Sequence, residues 1–274
     1  MEWTSSRLAF GNNCSNRSGR SQNSINETCE NSVAQIDRLF SEIDPDSGTF
    51  AFDQNVADVF DDMISRSVPL YADVQRSVPI LTGLLNHDPI RVFDLGCSTG
   101  TSLIHLSASL QDRNLELFGI DNSPAMLEKC HEKLDTFGLP HPVSTICAQI
   151  EDYEISDASV VLMNYTLQFI PESDRPALLE KISAALKPGG FLLISEKVAH
   201  PQPATHDALT DLYFEYKKGR GYSELEISRK RDALENVLVP LTMERNMEMF
   251  SSAGFSRVEV MLKWFNFATF LCRV

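Results

Sequence analysis

The stretch VFDLGCSTGT, residues 92–101, runs from an apolar segment through two glycines into a helical one. Gly96 lets the chain turn tightly and bring its backbone close to a ligand, and the helix opening after Gly100 offers N–H groups without partners. Asp121 ends a second apolar run about 25 residues beyond Gly96, close to the ~20-residue offset at which an acidic side chain takes ribose hydroxyls. A dinucleotide site needs a third glycine for the pyrophosphate, and this loop reads Gly-Cys-Ser-Thr-Gly, so a ligand without pyrophosphate is expected. A second candidate lies in ISRKRDALENV, residues 227–237. If Ile227, Leu234 and Leu238 form the buried stripe of a helix, Arg231 falls within it, whereas Arg229 and Lys230 point to solvent. A guanidinium aimed at the core costs several kcal/mol unless an anion meets it. That anion is either a ligand carboxylate, which the planar fork suits, or an internal Asp or Glu. Tyr71 either packs or offers its phenol to a carboxylate or to a ligand's amino-acid end; Tyr222 is a further candidate with a stronger packing reading. The six histidines share no face, and Cys97 has no base beside it, which makes it a backbone contact and not a nucleophile. No cluster has metal spacing.

Strands alternating with helices must position these residues. RVFDLG, LELFGID, VSTICAQI and FLLISEK read as strands, and SVVLMNYTLQF contains another. Between them lie helices such as SPAMLEKCHEKLDTFGL, with Ser123 as N-cap, Pro124 at the first position and Gly138 as the stop. SDRPALLEKISAALKPGG reads as a helix ended by Pro188, Gly189 and Gly190. Alternation of this kind gives a mostly parallel sheet covered on both faces. FSRVEVMLKWFNFATFLCRV closes the chain as two strands in an antiparallel hairpin. The expected organisation is a disordered extension over residues 1–34 and a single α/β domain over 35–274. Residues 35–90 form a helical lead-in and 198–245 a helical insertion before the last two strands. KKGRG, residues 217–221, reads as a solvated loop.

D-L-G-C-S-T-G resembles the first motif of class I S-adenosylmethionine (SAM) binders, a Rossmann-like methyltransferase fold. That resemblance implies that Gly96, Cys97 and Ser98 line the methionine part, Asp121 and Asn122 hold the ribose, Gln149 and Ile150 sit beside the adenine, and Asn164 faces the reactive side. Three more segments, FDQNVADVFDDMISRSVPLY, NYTLQF and GYSELEISRKRDALENV, are together similar to the carboxy-S-adenosyl-L-methionine synthase family over roughly residue 36 to the end. This family resemblance implies conversion of SAM and prephenate to carboxy-SAM and phenylpyruvate, with released carbon dioxide trapped on a SAM sulfonium ylide. It implies ligand residues Tyr71, Gly96, Cys97, Ser98, Asp121, Asn122, Asn164 and Arg231, with Arg231 gripping the added carboxylate. It also implies a homodimer whose product serves a tRNA carboxymethyltransferase acting on wobble uridines. Relatives carry Gly-Asp-Ile where this chain has Ala148-Gln149-Ile150, so an altered adenine contact through the Gln149 amide oxygen is expected.

Composition narrows the classes. With 24 basic and 38 acidic residues the formal net charge is −14, which disfavours a general nucleic-acid binder. No apolar run reaches the ~18 residues of a membrane span, and the N-terminus lacks the apolar segment of a secretory signal. A cytoplasmic protein with reduced thiols is expected from six cysteines without CxxC pairs. The rival readings are a SAM-dependent methyltransferase on a small molecule or RNA, and a non-catalytic SAM-binding subunit. An inward Arg231 favours the synthase, since methyl transfer needs no carboxylate site beside the sulfonium.

Overall fold

Runs of β-branched and aliphatic residues bounded by glycine and proline build the centre of the molecule. A computed structural model describes residues 37–39, 51–234 and 237–274, which belong to one compact unit, Val33–Val274. The extension expected over residues 1–34 lies outside the described residues. Among the described residues, helices α1 (Gln54–Ser67) and α2 (Tyr71–Gly83) precede the sheet. Then come β1 (Ile90–Leu95), α3 (Thr101–Ser109), β2 (Leu115–Asp121), α4 (Pro124–Phe137), β3 (Val143–Cys147), β4 (Ala158–Asn164), α5 (Arg175–Ala185) and β5 (Leu186–Lys197). Helices α6 (Pro203–Gly219), α7 (Glu224–Leu234) and α8 (Met243–Ser252) follow, and β6 (Arg257–Trp264) and β7 (Phe267–Arg273) close the chain.

The strands form one sheet in the order β3-β2-β1-β4-β5-β7-β6. The first five run parallel, and β7 pairs antiparallel with both β5 and β6. The order reverses between β1 and β4, the switch point where open α/β sheets bind ligands beyond the carboxyl ends of their strands. Both faces of the central strands are buried. Val92, Leu117 and Leu162 pack with Leu103 and Leu106 of α3, while Phe93, Val161 and Ile194 pack with Leu179 and Ile182 of α5. Buried on both sides, the central strands read as continuous apolar runs without alternation.

Local signals hold where expected. Ser123 Oγ accepts from Met126 N at 3.2 Å, Pro124 opens α4, and Gly138 closes it in the left-handed region at φ +55°. One boundary moves. Helix α5 stops at Ala185, and Leu186–Gly190 extend β5. Pro188 biases the residue before it towards extended backbone, and Gly190 fits where a Cβ would come within 2.8 Å of the Ser159 carbonyl. Arg175, 1% exposed, ties the segment after β4 to the one before α8 by donating to the carbonyls of Ile170 (2.9 Å), Gln168 (3.3 Å) and Val239 (3.0 Å).

Candidate active site

The loop between β1 and α3 is held from below. Gly96 N and Cys97 N both donate to the Ile120 carbonyl, at 2.8 and 3.0 Å. Gly96 has φ +76°, and a Cβ there would overlap the Thr166 side chain. Ser98, at φ +50°, occupies the left-handed region without being glycine, a conformation that costs of order 1 kcal/mol or more and persists where neighbours enforce it. The enforcing contact is Asp121. One carboxylate oxygen accepts Ser98 N at 2.9 Å and the other accepts Ser123 N at 2.9 Å. Burial pushes the Asp121 carboxyl up, and the N–H groups of Ser123, Ser98 and Asn122 oppose that rise.

Beyond this loop lies a cavity of about 520 Å³, in the range of small-molecule sites. It gathers nine of the ten expected positions, Tyr71, Gly96, Cys97, Ser98, Asp121, Asn122, Gln149, Ile150 and Asn164. Asn122 Nδ2 donates to Gln149 Oε1 at 3.0 Å, so the amide oxygen expected at the adenine is shared with its neighbour. Glu151, which also lines the cavity, leaves a buried Oε2 without a partner among the described residues. That orphan acceptor beside Gln149 and Ile150 suits an exocyclic amino group. Gln75 likewise leaves Oε1 buried and unpartnered, and Asp94 lines the same space. Burial first and the Asp121 charge second push Asp94 up to about 7, with a Ser102 hydrogen bond opposing. An ammonium or sulfonium arriving here would relieve that unfavourable charge, as SAM would. Asn164 is fixed on both sides, donating to Ser102 Oγ at 3.4 Å and accepting from Ser195 Oγ at 3.1 Å. The Tyr71 phenol is pushed well up, by burial and then by Asp61, and therefore stays a proton donor. Sequence reasoning missed Asp94, Gln75 and Glu151. Of these, Asp94 carried a signal, standing within the same FDLG motif.

Arg231 is a correction. Its side chain is 60% exposed, pairs with Asp232 at 3.1 Å, and does not line the cavity. Lys230 takes the inward place instead. It lines the cavity, donates to Ser67 Oγ at 2.9 Å, and lies 5.7 Å from the centre of the Tyr222 ring. The described helix ends at Leu234, before Leu238, so the assumed stripe is too short to fix the phase. Contacts with Ser67 and Tyr222 select the Lys230 side. KKGRG is corrected as well, because Lys217 belongs to α6 and is buried. Tyr222 packs: its hydroxyl donates to Asp37 Oδ2 at 2.6 Å and its ring carries the Arg66 guanidinium at 4.1 Å.

The lead-in roofs the site. Phe52, Phe60, Met63 and Ile64 line the cavity, and Lys133 of α4 holds α1 in place by donating to Asp61 (2.8 Å), Thr99 (3.0 Å) and Thr101 (3.0 Å).

Gly96→Ala should weaken SAM binding at least ~100-fold, roughly 3 kcal/mol, in isothermal titration, because both the positive φ and the Thr166 contact reject a Cβ; an affinity within threefold of the parent contradicts the loop's role. Asp94 gives a pH signature. Its proton is held up to about 7 in the fold but released near 3.8 in the unfolded chain, so the ligand-free protein loses stability as pH rises through that window. Glu196, pushed up to about 8 by burial, adds a slope of the same sign. Asp94→Asn should therefore flatten, without abolishing, the fall in Tm between about pH 4 and 7, and an unchanged profile contradicts the Asp94 assignment.

Comparison with known proteins agrees with this geometry. A family model described as a methyltransferase domain matches residues 92–190. The carboxy-S-adenosyl-L-methionine synthase of Aliivibrio fischeri is 41% identical over 237 residues, covering 86% of this chain and 98% of that protein. That of Vibrio cholerae is 42% identical over 233 residues, covering 85% and 95%. Among solved structures, an O-methyltransferase family protein of Burkholderia thailandensis matches with TM-score 0.57 at 19% identity, over 81% of this chain and 60% of that one. Human N-acetylserotonin methyltransferase in complex with SAM matches with TM-score 0.54 at 16% identity, over 80% and 55%. These two likenesses carry the fold alone, a class I methyltransferase sheet ending in an antiparallel hairpin. The curated relatives carry more: the chain belongs to the carboxy-S-adenosyl-L-methionine synthase family.

Proposed function

We propose that the protein forms carboxy-SAM from SAM and prephenate, releasing phenylpyruvate. The observation that carries this reading is the distribution of charge over the sheet. Asp94 and Asp121 stand at the ends of β1 and β2, Lys197 stands at the end of β5, and Asn164 of β4 lies between them in the strand order. All four line the same cavity, with Lys230. Acidic acceptors suit the ammonium and sulfonium of SAM, and lysines suit carboxylates.

SAM supplies a methyl group acidified by the adjacent sulfonium, and prephenate supplies the carboxyl group as carbon dioxide. The hydroxide leaving the prephenate ring and the proton leaving the methyl group together make one water, so the exchange needs no oxidant or reductant. This chain's residues bind and orient. Asp94 and Gln75 accept from the amino-acid end of SAM. The doubly anchored Asn164 fixes the reacting groups, Tyr71 donates its phenolic proton, and Phe169, Tyr165, Tyr213 and Phe267 give the cavity an aromatic wall that excludes water. The working form proposed is a cytoplasmic homodimer, supported by exposed Leu212 and Leu225 on the insertion. The product passes to a tRNA carboxymethyltransferase, which leaves RNA contact to a partner, in keeping with a net charge of −14.

Incubation of the purified protein with SAM and prephenate, followed by mass spectrometry, should yield carboxy-SAM and phenylpyruvate in equal amounts. Formation of S-adenosylhomocysteine with a methylated acceptor, and no phenylpyruvate, overturns the reading in favour of a methyltransferase.

A further inference from the structure

Two lysines share the Tyr213 ring on the β5 side of the cavity. Lys217 is only 5% exposed. Its Nζ lies 4.5 Å from the centre of the Tyr213 ring and 5.0 Å from that of Phe214. Lys197 Nζ lies 5.7 Å from the same Tyr213 ring, and both Lys197 and Tyr213 line the cavity. Among the described residues no Asp or Glu forms a salt bridge with either lysine. Burial first, then the charges of Lys230, Lys197 and Arg231, pull Lys217 down to about 7; burial pulls Lys197 down. Aromatic faces attract ammonium groups but return less than burying the charge costs. Two like charges sharing one ring also repel. An anion entering from the cavity would offset these costs.

We propose that Lys197, which lines the cavity beside Tyr213, seats a carboxylate of the second substrate, with the charge of Lys217 reinforcing it from behind that ring. This deepens the reading of that substrate as prephenate and rests on it. An organic carboxylate fits better than a phosphate, because the surrounding wall is aromatic, with Tyr165, Tyr213 and Phe267 packed as one cluster, and an apolar ring gains there what a compact inorganic anion does not. Lys230, bonded to Ser67 Oγ, lines the same cavity. In strand order the seat lies over β5, across β4 from Asp94 and Asp121, and a donor held there is separated from the amino-acid end of SAM.

Lys217→Met should raise the KM for prephenate about 30-fold or more, the loss expected when one partner of a buried charge pair is removed. SAM affinity should stay within threefold. Lys197→Met should move KM in the same direction, and Lys217→Arg, which keeps the charge, should recover most of the loss. The Tm of ligand-free Lys217→Met should rise, since a buried charge is replaced by an apolar chain of similar length. An unchanged KM in Lys217→Met, or a parallel fall in SAM affinity, overturns the proposal, and a lowered Tm with unchanged KM assigns Lys217 to packing. If the parent protein makes no phenylpyruvate, the reaction reading fails on its own, and titration of malonate, a plain dicarboxylate, into the SAM-loaded protein still decides the seat. Binding weakened by Lys217→Met supports it; equal binding, or none to the parent, overturns it.

Discussion

The Asp121 carboxylate accepts two backbone N–H groups, one from the glycine loop and one from the start of α4, and the cavity is built on that pairing. Ser98 N belongs to the turn after β1 and Ser123 N to the start of α4. With both held at 2.9 Å, the glycine loop cannot leave the end of β2, and Ser98 is kept in its left-handed conformation. The lead-in joins the same assembly. Ser123 Oγ donates to the Phe52 carbonyl at 2.6 Å, and Lys133 bridges Asp61 to the two threonines that flank the second glycine. Loop, lead-in and α4 are thus one hydrogen-bonded unit. A site fixed by its supporting bonds before the ligand arrives loses little freedom on binding.

That unit also sets the electrostatics. Enclosing Asp94 and Asp121 raises both carboxyls, and enclosing Lys197, Lys217 and Lys230 lowers all three ammonium groups. Asp94 and Lys197, kept apart by β4, do not neutralise each other, so both stay costly until a complementary ligand charge arrives. A cation with an amino-acid tail completes the β1–β2 side, and a carboxylate completes the β5 side. Stability given up in holding these groups is recovered as binding, which is why perturbed titrations gather at functional sites.

Much of this was legible in the residues, and the remainder failed for identifiable reasons. The turn at Gly96, the Ser123 cap and the terminal hairpin are local features, each decided within a few residues, and the structure has them where the motifs stood. The inward cation of α7 is not local. Relative to Ile227, Lys230 lies about 60° to one side on a helical wheel and Arg231 about 40° to the other, so phase alone cannot choose. Ser67 and Tyr222, distant in sequence or across a turn, make the choice. KKGRG misled for the opposite reason. A basic run ordinarily faces water, yet α6 extends through Lys217 and turns it onto Tyr213 and Phe214. Gln75 and Glu151 carried no pattern at all, and only their orphaned oxygens mark them.

The central claim is that a cavity acidic over β1 and β2 and basic over β5 retains a SAM derivative bearing an extra carboxylate. The most direct measurement is mass spectrometry of the nucleoside released when the freshly purified protein is denatured. The account predicts carboxy-SAM, heavier than SAM by one carbon dioxide, and S-adenosylhomocysteine as the retained nucleoside would contradict it.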